Sequence, residues 1–142
     1  MVQLLNILQL PTPLLELVRS LEASRWVILA VMMLILIFLG TALDEIGIIL
    51  LTVPVFLPIV RFLGFDEVWF GILFAVTIQM GYISPPFGYT LFYINATLPT
   101  HLHMGMVYRG IVPFFLLQLV GLLLCAAFEG IVTWLPRSMG AQ

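Results

Sequence analysis

The strongest constraint on this chain is an uncharged run of 31 residues, 68–98, with two adjacent prolines near its middle. As one straight helix the run would extend roughly 46 Å, at about 1.5 Å per residue, against about 30 Å for the hydrocarbon core of a bilayer. It must therefore tilt steeply or break. The stretch Gly81-Tyr82-Ile83-Ser84-Pro85-Pro86-Phe87-Gly88 supplies the break, with two prolines that cannot donate a helical hydrogen bond and two glycines. We read residues 67–98 as a discontinuous span.

Composition places the chain in a membrane: 63% of its 142 residues are hydrophobic and 8% are charged, far from soluble usage. The net charge of -2, with no lysine, excludes a nucleic-acid footprint and a polybasic membrane tether. Cys125 is the only cysteine, so an internal disulfide and a multi-cysteine metal site are excluded. His101 and His103 lack further ligands to complete a metal site and read as loop histidines. No basic residue precedes Arg19, and Pro11 and Pro13 interrupt the apolar start, so no signal peptide is expected.

The expected architecture is an all-α integral membrane protein. Residues 1–25 read as a lead-in segment with a short interfacial helix, and residues 26–43 as a first span. Residues 44–62 hold fifteen apolar residues before Arg61, short for a span, with Pro54 and Pro58 among them. A re-entrant hairpin of two half-helices fits this segment better than a kinked span. Residues 99–110 form a polar connection, residues 111–135 a final span stopped by Pro136, and residues 137–142 a tail. With a hairpin returning to its own face, Arg61 and Arg137 lie on one side, and Arg19, Arg25 and Arg109 on the other.

The helix breaks are where chemistry is expected. Pro85 and Pro86 would leave the carbonyls of Gly81 and Tyr82 without helical partners beside the Ser84 hydroxyl, and Pro54 would free the carbonyl of Leu50 near Thr52. Such oxygens are costly in lipid and are what a desolvated sodium ion requires. A half-helix starting near Gly88 would aim free N–H groups at a substrate carboxylate. The plainer reading is a proline kink repaired by neighbouring helices.

Asp44 is expected as a helix cap, Glu129 as a side chain reaching the interface, and Asn95 as interhelical glue with substrate contact as its other reading. An enzyme is not expected. Ser84 is followed by Pro85, which lacks the N–H that commonly builds an oxyanion hole, and Asp66 falls in a loop away from Asp44.

The ordered series Leu39-Gly-Thr-Ala-Leu-Asp44, Thr52-Val-Pro54-Val-Phe-Leu-Pro58, Gly64-Phe-Asp66 with Trp69-Phe-Gly71, and Ser84-Pro-Pro-Phe-Gly88 with Leu91-Phe92 resembles the C-terminal part of the large membrane subunit of TRAP (tripartite ATP-independent periplasmic) transporters. The resemblance implies a multi-pass protein of the bacterial inner membrane, forming one inverted repeat of an elevator-type fold. It implies sodium-driven symport of organic acids, with no cofactor beyond the coupling ion. The implied partners are a small TRAP membrane subunit, a periplasmic substrate-binding protein and the missing N-terminal half of the large subunit. It also implies that Pro54 and Pro58 mark the hairpin, and that Ser84 to Gly88 form the break near the sodium site. Glu45 and Glu129 depart from the family pattern, and no role is carried to them. The alternative is a small structural or regulatory membrane subunit of another permease.

Overall fold

The computed structural model describes residues 16, 20, 23–84, 88–97 and 103–140, and every element among them is helical. The helices are α1 (Arg25–Ala42), α2 (Glu45–Phe62), α3 (Glu67–Ile83), α4 (Tyr89–Thr97), α5 (Met104–Ala127) and α6 (Glu129–Ser138). Three of them, α1, α2 and α5, are long and apolar enough to cross a membrane, and α3 is a slightly shorter apolar helix. The lead-in helix expected before Arg25 lies almost wholly outside the described residues.

Local chemistry sets the turns between the first three helices. The Asp44 carboxylate accepts the Gly47 N–H at 3.2 Å and caps α2. A side chain on Gly47 would meet Asp44 Oδ1 at 2.9 Å, so glycine makes room for the cap. Asp66 caps α3 in the same way, accepting the Trp69 N–H at 2.9 Å. Gly64 takes φ 75° in the turn between them, a conformation that disfavours any side chain.

Helix α3 is the centre of the molecule and packs against all five other helices. Its most extensive contact is with α1. There the backbones nearly touch: a Cβ on Gly81 would lie 2.8 Å from the Gly40 Cα and 2.8 Å from the Ile37 carbonyl oxygen. In lipid, where burial of apolar surface gives little drive for helix association, such close backbone packing is a main source of affinity. Met33 and Thr77 meet further along the same seam, the Thr77 hydroxyl lying 3.1 Å from the Met33 sulfur.

Several contacts define one end of the bundle, called here the Trp69 end. Trp26, Phe65 and Trp69 form an aromatic cluster with centroids 5.2 to 6.2 Å apart. The Arg25 guanidinium lies 5.5 Å from the Trp26 ring and 5.4 Å from that of Phe65. Arg61 pairs with Glu67, with Nη2 to Oε2 at 3.0 Å. The Trp69 indole N–H donates to the Cys125 carbonyl at 2.8 Å. The starts of α1 and α3 and the ends of α2 and α5 therefore share this end, and α1, α2 and α3 run up, down and up.

That arrangement corrects two expectations. The hairpin at 44–62 is not found: α2 is one continuous 18-residue helix with Pro54 and Pro58 inside it. Prolines four apart remove hydrogen bonds from a single face and leave the other rows intact, so the helix survives. Ile48, Thr52, Phe56, Ile59 and Val60 form an unbroken buried stripe through both prolines. As a result Arg25 and Arg61 lie at the same end rather than on opposite sides.

The final span also differs. Helix α5 starts at Met104, carries Pro113 within it and ends at Ala127, where Phe128 leaves the helical conformation at φ -118° and ψ 73°. The carbonyl of Cys125, which a continuing helix would have used, takes the Trp69 indole instead. Pro136 does not stop the chain: it lies inside α6, so Arg137 and Ser138 belong to that helix. Glu129 opens α6, where the helix dipole favours a carboxylate, and is not in mid-span.

Replacing Gly81 by alanine should cost about 1–3 kcal/mol, the usual range for overpacking. Gly71→Ala should be neutral or stabilising by up to about 1 kcal/mol, since nothing lies within 4 Å of its Cβ position. Unfolding of both variants in matched detergent, followed by circular dichroism, checks the difference. Equal tolerance at the two sites would mean that α1 and α3 do not cross at these glycines.

Candidate functional site

Helix α3 stops where its sequence forces it to. Ser84 has φ -83° and ψ 135°, the extended conformation that a following proline imposes. The next helix starts at Tyr89, and residues 85–87, including Pro85 and Pro86, lie outside the described residues.

The end of α3 satisfies its own carbonyls more fully than simple counting suggests. The Ser84 N–H donates to the Gly81 carbonyl at 3.0 Å, and the Ser84 hydroxyl donates to the Met80 carbonyl at 2.7 Å. The last turn has tightened to an i to i−3 bond, and the serine side chain replaces the backbone donor thereby lost at Met80. The expectation of an unpartnered Gly81 carbonyl is therefore corrected: it has one partner and one lone pair left. Ser84 is 5% exposed, so its oxygen is held within the protein and keeps acceptor capacity.

Gly88 restarts the helix. It adopts φ 47°, and a Cβ there would lie 2.6 Å from Leu91 Cδ1 and 3.1 Å from the Ser84 carbonyl oxygen. Its own carbonyl accepts the Leu91 N–H at 2.7 Å, forming the first turn of α4. Only glycine combines that conformation with so close an approach. Asn95 lies within α4, and its side chain is outside the described residues.

A cavity of ≈ 320 Å³ opens beside the break, lined by Ser84 and Ile83 from α3, Ile37 from α1, and Tyr108, Ile111 and Phe115 among others from α5. Tyr108 was read from sequence as part of a polar connection. The structure puts it in the first turns of α5, where it faces the same space as Ser84.

Thr52 is not joined to this group. Its hydroxyl is buried and donates to the Ile48 carbonyl at 2.7 Å, within its own helix. Counted from the shared Trp69 end at about 1.5 Å per residue, Thr52 is roughly 15 Å along α2 and Ser84 roughly 25 Å along α3. Leu50, two residues beyond Thr52, is half exposed. Among the described residues no three His, Cys, Asp or Glu side chains come together as a metal cluster.

Comparisons with known proteins identify the family. Residues 1–131 match the family model "Tripartite ATP-independent periplasmic transporter, DctM component". A TRAP transporter large permease protein of Haemophilus influenzae is 31% identical over 128 residues, 90% of this chain and 31% of that protein. The C4-dicarboxylate TRAP transporter large permease protein DctM of Pseudomonas aeruginosa is 31% identical over 132 residues, 93% of this chain and 30% of that protein. The sialic acid TRAP transporter large permease protein SiaM of Vibrio cholerae is 29% identical over 131 residues, 91% of this chain and 30% of that protein. This chain thus spans about 30% of the length of the curated relatives it matches. No solved structure matches it. With a family match over residues 1–131 and relatives about 30% identical across most of its length, the chain belongs to the DctM family, the large permease component of the TRAP transporters, whose members are transporters rather than enzymes.

Proposed function

We propose that this chain acts as the C-terminal part of the permease subunit of a sodium-coupled TRAP symporter for organic acids in the bacterial inner membrane. The observation that carries the proposal is the break between α3 and α4, where a buried serine and a tightened helix end meet a glycine-started helix beside a cavity. Relatives named for C4-dicarboxylates and for sialic acid support an acidic solute.

Sodium is coordinated in this reading by the Ser84 hydroxyl oxygen and the carbonyls of Gly81 and Tyr82, groups that retain lone pairs at the end of α3. The N–H groups that open α4, after Gly88, offer partial positive charge to a substrate carboxylate. Leu50 and Thr52 lie deeper, on α2, and are left out of this ligand set. A small membrane subunit and a periplasmic binding protein are the partners proposed from family membership. A fused relative of Oleidesulfovibrio alaskensis, the isethionate TRAP transporter permease protein DctMQ, fits that assembly.

Orientation follows from arginine placement. Arg25 and Arg61 share the Trp69 end, whereas Arg109 lies near the start of α5, at the other end. By the positive-inside rule we propose that the Trp69 end is cytoplasmic. After Cys125→Ala, single cysteines at positions 25 and 61 should react with a membrane-impermeant thiol reagent from the same side, and a cysteine at 109 from the opposite side. Opposite reactivity of 25 and 61 would restore the hairpin and refute the crossing of α2.

Reconstituted alone, the chain should show no sodium-dependent uptake, because alternating access in such transporters needs two repeats around one site. Uptake by the purified chain would overturn the proposal that it works within a larger permease. In a complete permease carrying this segment, Pro85→Ala with Pro86→Ala should let α3 continue and raise the sodium concentration for half-maximal uptake at least several-fold. Initial uptake against sodium concentration at matched expression measures this. An unchanged sodium dependence would assign the prolines a shaping role only.

A further inference from the structure

We propose a phospholipid-binding site in the trough between α1 and α5, with the phosphate on Arg25 and one acyl chain laid along the floor toward Ile37. The trough encloses ≈ 380 Å³ and is walled by apolar side chains, among them Trp26, Met33 and Ile37 of α1, Leu73 of α3, and Leu119 and Leu123 of α5. From Trp26 to Ile37 is about 16 Å along α1, close to half of a hydrocarbon core of about 30 Å. The α1 wall of the trough is thus as long as one leaflet is deep. A single hydrocarbon chain can lie along such an apolar wall.

The mouth supplies the second half of the argument. Trp26 lines the trough, and the Arg25 guanidinium lies over its ring at 5.5 Å, so charge and apolar channel are contiguous. Arg25 makes no ion pair among the described residues. Of the acids at the Trp69 end, Glu67 is paired with Arg61, Asp66 accepts the Trp69 N–H, and Glu129 opens α6. A guanidinium binds phosphate oxygens bidentately, and tryptophan favours the headgroup level of a bilayer.

The test uses the full chain purified in detergent, with its thermal midpoint measured against added dioleoylphosphatidylglycerol or dioleoylglycerol, which has the same chains and no phosphate. The phospholipid should raise the midpoint by several degrees and the diacylglycerol by less. Arg25→Gln should reduce the phospholipid effect to that of the diacylglycerol. Ala30→Phe, at an exposed position on the trough wall, should fill the trough and abolish both effects, and Leu34→Trp provides a second filling variant should the first fail to fold. An Arg25→Gln protein that keeps the full phospholipid effect, or filled variants that still respond, would show only a non-specific lipid coat and overturn the site.

Discussion

The close approach of α1 and α3 at Gly40 and Gly81 is the contact on which the rest of the structure depends. With Cβ positions 2.8 and 3.0 Å from opposing backbone atoms, these helices meet almost main chain to main chain. That contact fixes the height of the last turn of α3, because Gly81 is three residues before Ser84. It therefore fixes where the helix break stands relative to α1, and Ile37 of α1 is a wall of the cavity that Ser84 opens into. Any side chain at Gly81 pushes the break outward. A packing constraint and the proposed ion site fall on one turn of helix.

At its other end α3 is held by different physics. The Trp26, Phe65 and Trp69 rings, the Arg25 guanidinium and the indole bond to the Cys125 carbonyl tie α1, α3 and α5 together with polarised contacts suited to a membrane interface. The two ends thus divide the work. The Trp69 end anchors, and the Ser84 end, with its interrupted backbone and oxygens that keep lone pairs, is where we propose that the ion binds.

Much of this was legible in residue order, and the failures have physical causes. The break at Ser84 was visible because two consecutive prolines and a glycine act locally, whatever surrounds them. The cap at Asp44 was visible for the same reason. The continuity of α2 was not: residues 46–60 are apolar on every side, so the buried stripe at Ile48, Thr52, Phe56 and Ile59 cannot be separated from its background by periodicity. The stop at Phe128 was invisible as well, since its partner, Trp69, lies 56 residues away from Cys125. Gly40 and Gly81 each stand in an apolar run with nothing to announce that they face one another. Tertiary contacts settle these points, and one sequence does not encode its own pairings in a readable form.

The central claim, that Gly40 and Gly81 bring α1 and α3 into backbone contact, can be tested without changing a residue. The measurement is magic-angle-spinning NMR of the ¹³C-glycine-labelled protein in lipid, observing transfer between the two α-carbons. The account predicts a strong cross-peak between Gly40 Cα and Gly81 Cα at short mixing times. Its absence, with both signals assigned and other short contacts visible, would contradict the packing from which the position of the helix break has been derived.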